Sequence, residues 1–128
     1  MKENKITIII NRPIKEVFEF TTNPENTHLW IFSIKKEFSE EYPPKIGTKY
    51  KNCDDNANWD FYKVTDIEKN KIFTLSDLDD NYNVKYSYRV IGDSETEMEY
   101  FEWMKTGELK NPFTIDVLEK LKSIMEIL

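Results

Sequence analysis

The sequence predicts an α+β fold in which an antiparallel sheet wraps around one long C-terminal helix, and three observations carry this. From Asn111 to Leu128 the residues Phe113, Val117, Leu118, Leu121, Ile124, Met125 and Leu128 recur at helical spacing on one arc of roughly 140°, with Asp116, Glu119, Lys122, Ser123 and Glu126 opposite. At about 1.5 Å per residue this helix is about 25 Å long, close to the roughly 28 Å diameter of a compact chain this size, so it crosses the molecule and its apolar arc needs a cover. Ahead of it lie short β-branched and aromatic runs separated by brief turns, and connections that short make neighbouring strands antiparallel.

Taken in order, Lys5 to Asn11 is the first strand, with Ile6, Ile8 and Ile10 on its inner face. Pro13 then opens a short helix carrying Ile14, Val17, Phe18 and Thr21 at helical spacing. Arg12 cannot accept a capping bond, which leaves Asn11 for that role. A second short helix opens at Asn23-Pro24-Glu25, where an amide caps and an acid faces the positive helix end, and it ends near Trp30. Six strands follow: Ile34 to Glu41, Thr48 to Asp54, Trp59 to Ile67, Ile72 to Leu78, Asn83 to Ile91 and Glu95 to Met104. Tyr42 to Gly47, Asp54 to Asn58, Glu68 to Asn70, Asp79 to Asn81 and Gly92-Asp93 supply the turn chemistry between them. The clearest alternation sets Val84, Tyr86, Tyr88 and Val90 against Lys85, Ser87 and Arg89, and then Met98 and Tyr100 against Glu97 and Glu99. With no repeat or linker, residues 1–128 read as a single domain.

A net charge of −6 repels phosphate backbones and anionic lipid heads, so nucleic acid is not an expected partner. The apolar run Ile6 to Ile10, broken by Thr7, is too short for a signal-peptide core or a bilayer span, and integral membrane association is not expected. One cysteine, Cys53, excludes an intramolecular disulfide, and one histidine, His28, excludes a Cys/His zinc site. The aspartates at 54, 55 and 60, and those at 77, 79 and 80, lack the spacing and glycine of a calcium loop. The expectation is a cytoplasmic protein with no metal and no cofactor.

Several strings resemble a known family. Ile10-Asn11-Arg12-Pro13-Ile14-Lys15-Glu16-Val17-Phe18, Asn23-Pro24-Glu25-Asn26 with Trp30, and Pro44-Lys45-Ile46-Gly47-Thr48 are similar to the polyketide cyclase/dehydrase branch of the START-like superfamily, which also holds the birch pollen allergen group. Gly92 with Thr96, and Leu118, Leu121, Lys122, Met125 and Glu126 in the last helix, extend the likeness over nearly the whole chain. The resemblance implies a helix-grip fold: seven antiparallel strands curled around the C-terminal helix, with two short helices closing one end. It also implies a hydrophobic ligand held between sheet and helix, in a family whose roles run from lipid carriage to aromatic polyketide cyclisation and chaperone association. It carries no universal catalytic motif, so no catalytic residue transfers, and fold alone does not choose among these roles.

A pocket in such a fold would be lined by Tyr50, Asn52, Tyr86, Tyr88, Met98 and Tyr100 from the strands and Val117 and Leu121 from the helix, with Trp30 at the mouth, its indole partly wet. That lining suits an aromatic or acyl ligand with one or two polar atoms, but the same rings also read as a filled core. Glu102 continues the inward phase of Met98 and Tyr100 and would make a desolvated base there, unless one bulge turns it outward in favour of Phe101 and Trp103. The leading expectation is binding of a small hydrophobic ligand without conversion. The alternatives are a cyclase- or lyase-like enzyme using pocket tyrosines such as Tyr88 as acids and Glu102 as base, and an interaction module whose outer sheet face or first-helix surface meets a protein partner or a second copy of itself, which a large exposed patch including Phe101 and Trp103 would favour.

Overall fold

The alternating runs become one seven-stranded antiparallel sheet in a computed structural model that describes residues 1–127. The chain runs β1 (Glu3–Ile10), α1 (Ile14–Thr22), one 3-10 turn (Pro24–Asn26), α2 (Thr27–Trp30), β2 (Lys36–Ser39), β3 (Lys49–Cys53), β4 (Trp59–Glu68), β5 (Ile72–Asp77), β6 (Tyr82–Gly92), β7 (Glu95–Met104) and α3 (Ile115–Ile127). In the sheet the order is β1-β7-β6-β5-β4-β3-β2, so five hairpin-type neighbours are sequential and the first strand joins the last.

Register places like residues opposite one another on the inner face. Ile6 faces Tyr100, Tyr100 faces Tyr86, and Tyr86 faces Phe73, one apolar row across four strands. A parallel row runs from Asn4 through Glu102, Val84 and Leu75 to Val64. Between Val64 and Asp66 a bulge adds one residue to β4, and the phase change turns Ile67 back to the side that Tyr62 and Val64 share. Gly47, at φ +94°, completes the turn into β3 in a conformation that L side chains rarely adopt, and its N–H donates to the Val64 carbonyl at 2.8 Å.

The closing helix is shorter than its apolar pattern. It begins at Ile115 and spans 13 residues, about 20 Å. Pro112 offers no N–H, and Phe113 commits its own N–H to a side chain, so both stay outside the helix. Leu118, Leu121 and Met125 are buried and Val117 and Ile124 half-buried, while Leu128 lies outside the described residues. The helix is tied to the first strand by Lys122 Nζ, which donates to the Ile9 carbonyl at 2.7 Å. Glu126 accepts the backbone N–H of Asn11 at 2.8 Å. Asn11 is therefore not the cap of α1, which has no side-chain cap; Pro13 precedes it, and the Pro13 carbonyl accepts the N–H groups of Glu16 and Val17. Asn23 caps the following 3-10 turn, its Oδ1 accepting from the Glu25 N–H at 3.0 Å.

Candidate functional site

The concave face of the sheet holds a partly open cavity of about 330 Å³ near the N-terminal end of α3. Six aromatic side chains line it: Tyr62, Phe73, Tyr82, Tyr86, Tyr100 and Phe113. Four of them form a continuous wall, with ring centroids 5.8 Å apart for Phe73 and Tyr86, 5.6 Å for Tyr86 and Tyr100, and 4.4 Å for the stacked Tyr100 and Phe113. Leu75 and Val84 fill the floor, Thr27, Ile31 and Ile34 close the α2 side, and Asp54 and Asp60 stand with them in the lining.

Two buried or half-buried carboxylates meet these rings. Glu37, from the short strand β2, accepts from Thr27 Oγ1 at 2.5 Å and from Asn52 Nδ2 at 3.1 Å. Burial pushes its carboxyl above the usual range, and the two hydrogen bonds pull it back only in part. Glu102 is 2% exposed and accepts three bonds: Tyr82 Oη–H at 2.8 Å, Asn4 Nδ2–H at 3.0 Å and the Phe113 N–H at 2.7 Å. It keeps the inward phase of Met98 and Tyr100, with no bulge in its stretch of β7, and Phe101 and Trp103 stack on each other on the opposite face. All three of its bonds tie structure together: Asn4 from β1, Tyr82 from β6 and the approach to α3. Burial also raises the phenols of Tyr82, Tyr86 and Tyr100 above their ordinary value, reinforced by Glu102 at Tyr82 and by Glu37 at Tyr86. They are weak proton donors near neutrality.

The fold is shared with solved structures. A START superfamily protein from Mycobacterium smegmatis is similar at a TM-score of 0.75 and 10% identity, over 99% of each chain. An Aha1 dimer from Colwellia psychrerythraea is similar at a TM-score of 0.70 and 14% identity, covering 99% of this chain and 98% of that one. A protein of the dynemicin biosynthetic locus is similar at a TM-score of 0.70 and 12% identity over 98% of this chain, which spans 48% of its length. The chain has the START-like helix-grip fold. No protein-family model matches the sequence, and no curated protein matches it. Among the described residues no helix is long and apolar enough to cross a membrane.

Within this START-like frame, the residues expected to form the site divide. Asn52, Tyr86 and Tyr100 line the cavity. Tyr50, Tyr88 and Met98 share their face of the sheet but are packed in the core: the Tyr50 hydroxyl donates to the Thr22 carbonyl at 2.9 Å, and Tyr88 pairs with Thr21 Oγ1 at 2.7 Å. Leu121 is wholly buried and Val117 half-buried, and neither borders the cavity, because α3 begins beyond it. Trp30 is not a wet residue at a mouth: it is 0% exposed, packs 5.8 Å from Tyr86, and its indole N–H finds no acceptor.

The carboxylate and aromatic rings of the lining that sequence reasoning did not place there include Glu37, Tyr62, Phe73, Tyr82 and Phe113. Tyr62 carried a signal, since it alternates with Val64 and lies opposite Tyr50. Glu37 carried none, because β2 turns a carboxylate inward and Phe38 outward, opposite to the hydrophobic rule. Phe38 stacks on Trp59 on the outer face with Lys51 over both rings, and Phe61 is half exposed beside them. A larger concavity, about 670 Å³, lies between α1, residues 42–45, Ile67, Lys69 and Met125. It is a more open groove edged by Arg12, Glu16, Glu19, Lys45 and Lys69, and none of the expected site residues lines it.

Proposed function

We propose that this START-like chain binds one small aromatic or hydrophobic molecule in the sheet-lined cavity and releases it unchanged. The observation behind this reading is the recessed space of about 330 Å³ with six aromatic side chains around it. That volume is at the low end of the roughly 300–1,000 Å³ typical of small-molecule sites. At about 30 Å³ per water it holds on the order of eleven waters, a space for one ring with a short substituent. Binding without conversion fits the chemistry of the walls, whose phenols are held protonated by burial; Glu102 does not border the cavity, and each of its oxygens is already engaged by a structural donor.

The test adds bulk at Val84, which borders the cavity and is 8% exposed. Saturation-transfer NMR with benzyl alcohol should give a signal with the parent chain and none with Val84→Phe. Because the new ring enters free space, stability should change by less than about 1 kcal/mol, against about 1–3 kcal/mol for overpacking a filled core. Val117→Phe and Phe20→Ala, the latter in the open groove beside α1, should leave the signal unchanged. A parent chain that shows no transfer, or a signal lost only in Phe20→Ala, would overturn this reading.

A further inference from the structure

We propose that the cavity selects a small amine, with the cationic nitrogen seated at Glu37 among the surrounding tyrosines. The inference deepens the ligand-binding reading above and rests on it. Its basis is the charge of the lining. Glu37, Asp54 and Asp60 border the cavity, whereas no lysine, arginine or histidine among the described residues does. Nor does Glu37 take part in any ion pair among the described residues; its two bonds come from the neutral donors Thr27 and Asn52.

An acceptor-only carboxylate engaged by two neutral donors retains lone pairs for a further N–H. A half-buried negative charge with no counter-ion is costly until a cation joins it, so a positively charged guest gains more from this site than a neutral one of the same shape. The walls act in the same sense. Tyr62, Tyr86 and Tyr100 line the same space as Glu37, and a phenol oxygen can accept from an ammonium N–H as well as the carboxylate can. A carboxylate ligand meets like charge there and no counter-ion, so anionic lipids and acids are disfavoured guests. Asp54 and Asp60 extend the negative potential along the lining, which draws cations toward the space.

Isothermal titration of the full chain at neutral pH with benzylamine, benzyl alcohol and phenylacetate tests the charge preference with probes of nearly equal size. The amine should bind at least about tenfold tighter than the alcohol, about 1.4 kcal/mol, with phenylacetate weakest. Glu37→Gln keeps an oxygen for Thr27, and Asn52 can turn its amide to face the new NH2, so the fold tolerates it. In that variant the amine should fall to the affinity of the alcohol, while the alcohol itself stays within about twofold. Should the variant not fold, Asp60→Asn, which is exposed, carries the test: the amine weakens and the alcohol does not. An alcohol that binds as tightly as the amine, or a preference that survives Glu37→Gln, overturns the amine assignment and leaves the hydrophobic site standing. A parent chain that binds none of the three overturns both.

Discussion

The Glu102 carboxylate accepts the backbone N–H of Phe113 at 2.7 Å, and this bond fixes where the chain crosses the end of the sheet on its way into α3. Asn4 strengthens the crossing by donating both to Glu102 and, at 2.8 Å, to the Phe113 carbonyl. Phe113 is then stacked on Tyr100, and it walls the cavity although it precedes the helix. Glu102→Ala strands three donors at once, and each unsatisfied buried group costs about 1–3 kcal/mol, so a total loss of at least about 3 kcal/mol is expected in urea melts. Glu102→Gln should lose only about 1 kcal/mol, because an oxygen remains for Phe113 and the Tyr82 hydroxyl can accept from the new amide. Amide exchange at Phe113 should accelerate in both variants.

Leu121 is 0% exposed within the core cluster that joins α3 to the sheet. Truncation to alanine should cost about 2–5 kcal/mol, the range for a packed leucine that leaves a cavity behind. A chemical denaturation loss below about 1 kcal/mol would mean that α3 presents another face.

Trp30 is wholly buried whereas Trp59 is 39% exposed, so the two indoles should separate in a quenching experiment. Acrylamide should quench Trp59 readily and leave a blue-shifted component untouched. Trp30→Phe should remove that component. If Trp59→Phe removes it instead, the placement of Trp30 behind Tyr86 is wrong.

Glu37 should leave a signature in the pH dependence of stability. Burial raises its folded-state value above the ordinary 4.5, so the folded chain holds this proton more tightly than the unfolded one. The stability this contributes is present in full below pH 4.5 and is lost as pH rises through the raised folded value. Glu37→Gln has no such proton, and melts of the variant between acid and neutral pH should show a flatter profile. At neutral pH it should be at least as stable as the parent, the usual relation when a charged group is held in a site for binding. A parent profile that gains stability over the same window would contradict the shift.

The fold was legible because both periodicities were clean. Alternation in β6 and β7 and the helical arc of α3 each specify a face, and the turn residues specify the neighbours. The start of α3 was not legible, since Phe113 lies on the helical arc for a different reason: it packs on Tyr100 from the approaching loop. The lining of the cavity was half legible. Strand phase says that Tyr50, Tyr86, Tyr88, Met98 and Tyr100 share a face, but not how far along the strand the space opens, and that distance separates Tyr86 from Tyr88. Glu37 was hidden for a local reason, because an inward carboxylate on a four-residue strand has no pattern around it to reveal its phase.

The sheet order carries a kinetic consequence. From β2 to β7 each strand lies beside its neighbour in sequence, so those pairings close short loops and can form as soon as their residues are synthesised. β1 is different: Glu3 pairs with Trp103 and Ile10 with Thr96, so the first strand made waits for the last before it has a partner. Until then Ile6, Ile8 and Ile10 have no cover. Closure of this far-separated pair should therefore limit the rate of folding, as non-local pairings do generally. A ribosome-bound fragment that stops before β7 should keep its N-terminal segment open to proteases and chaperones, even though its central hairpins have already formed.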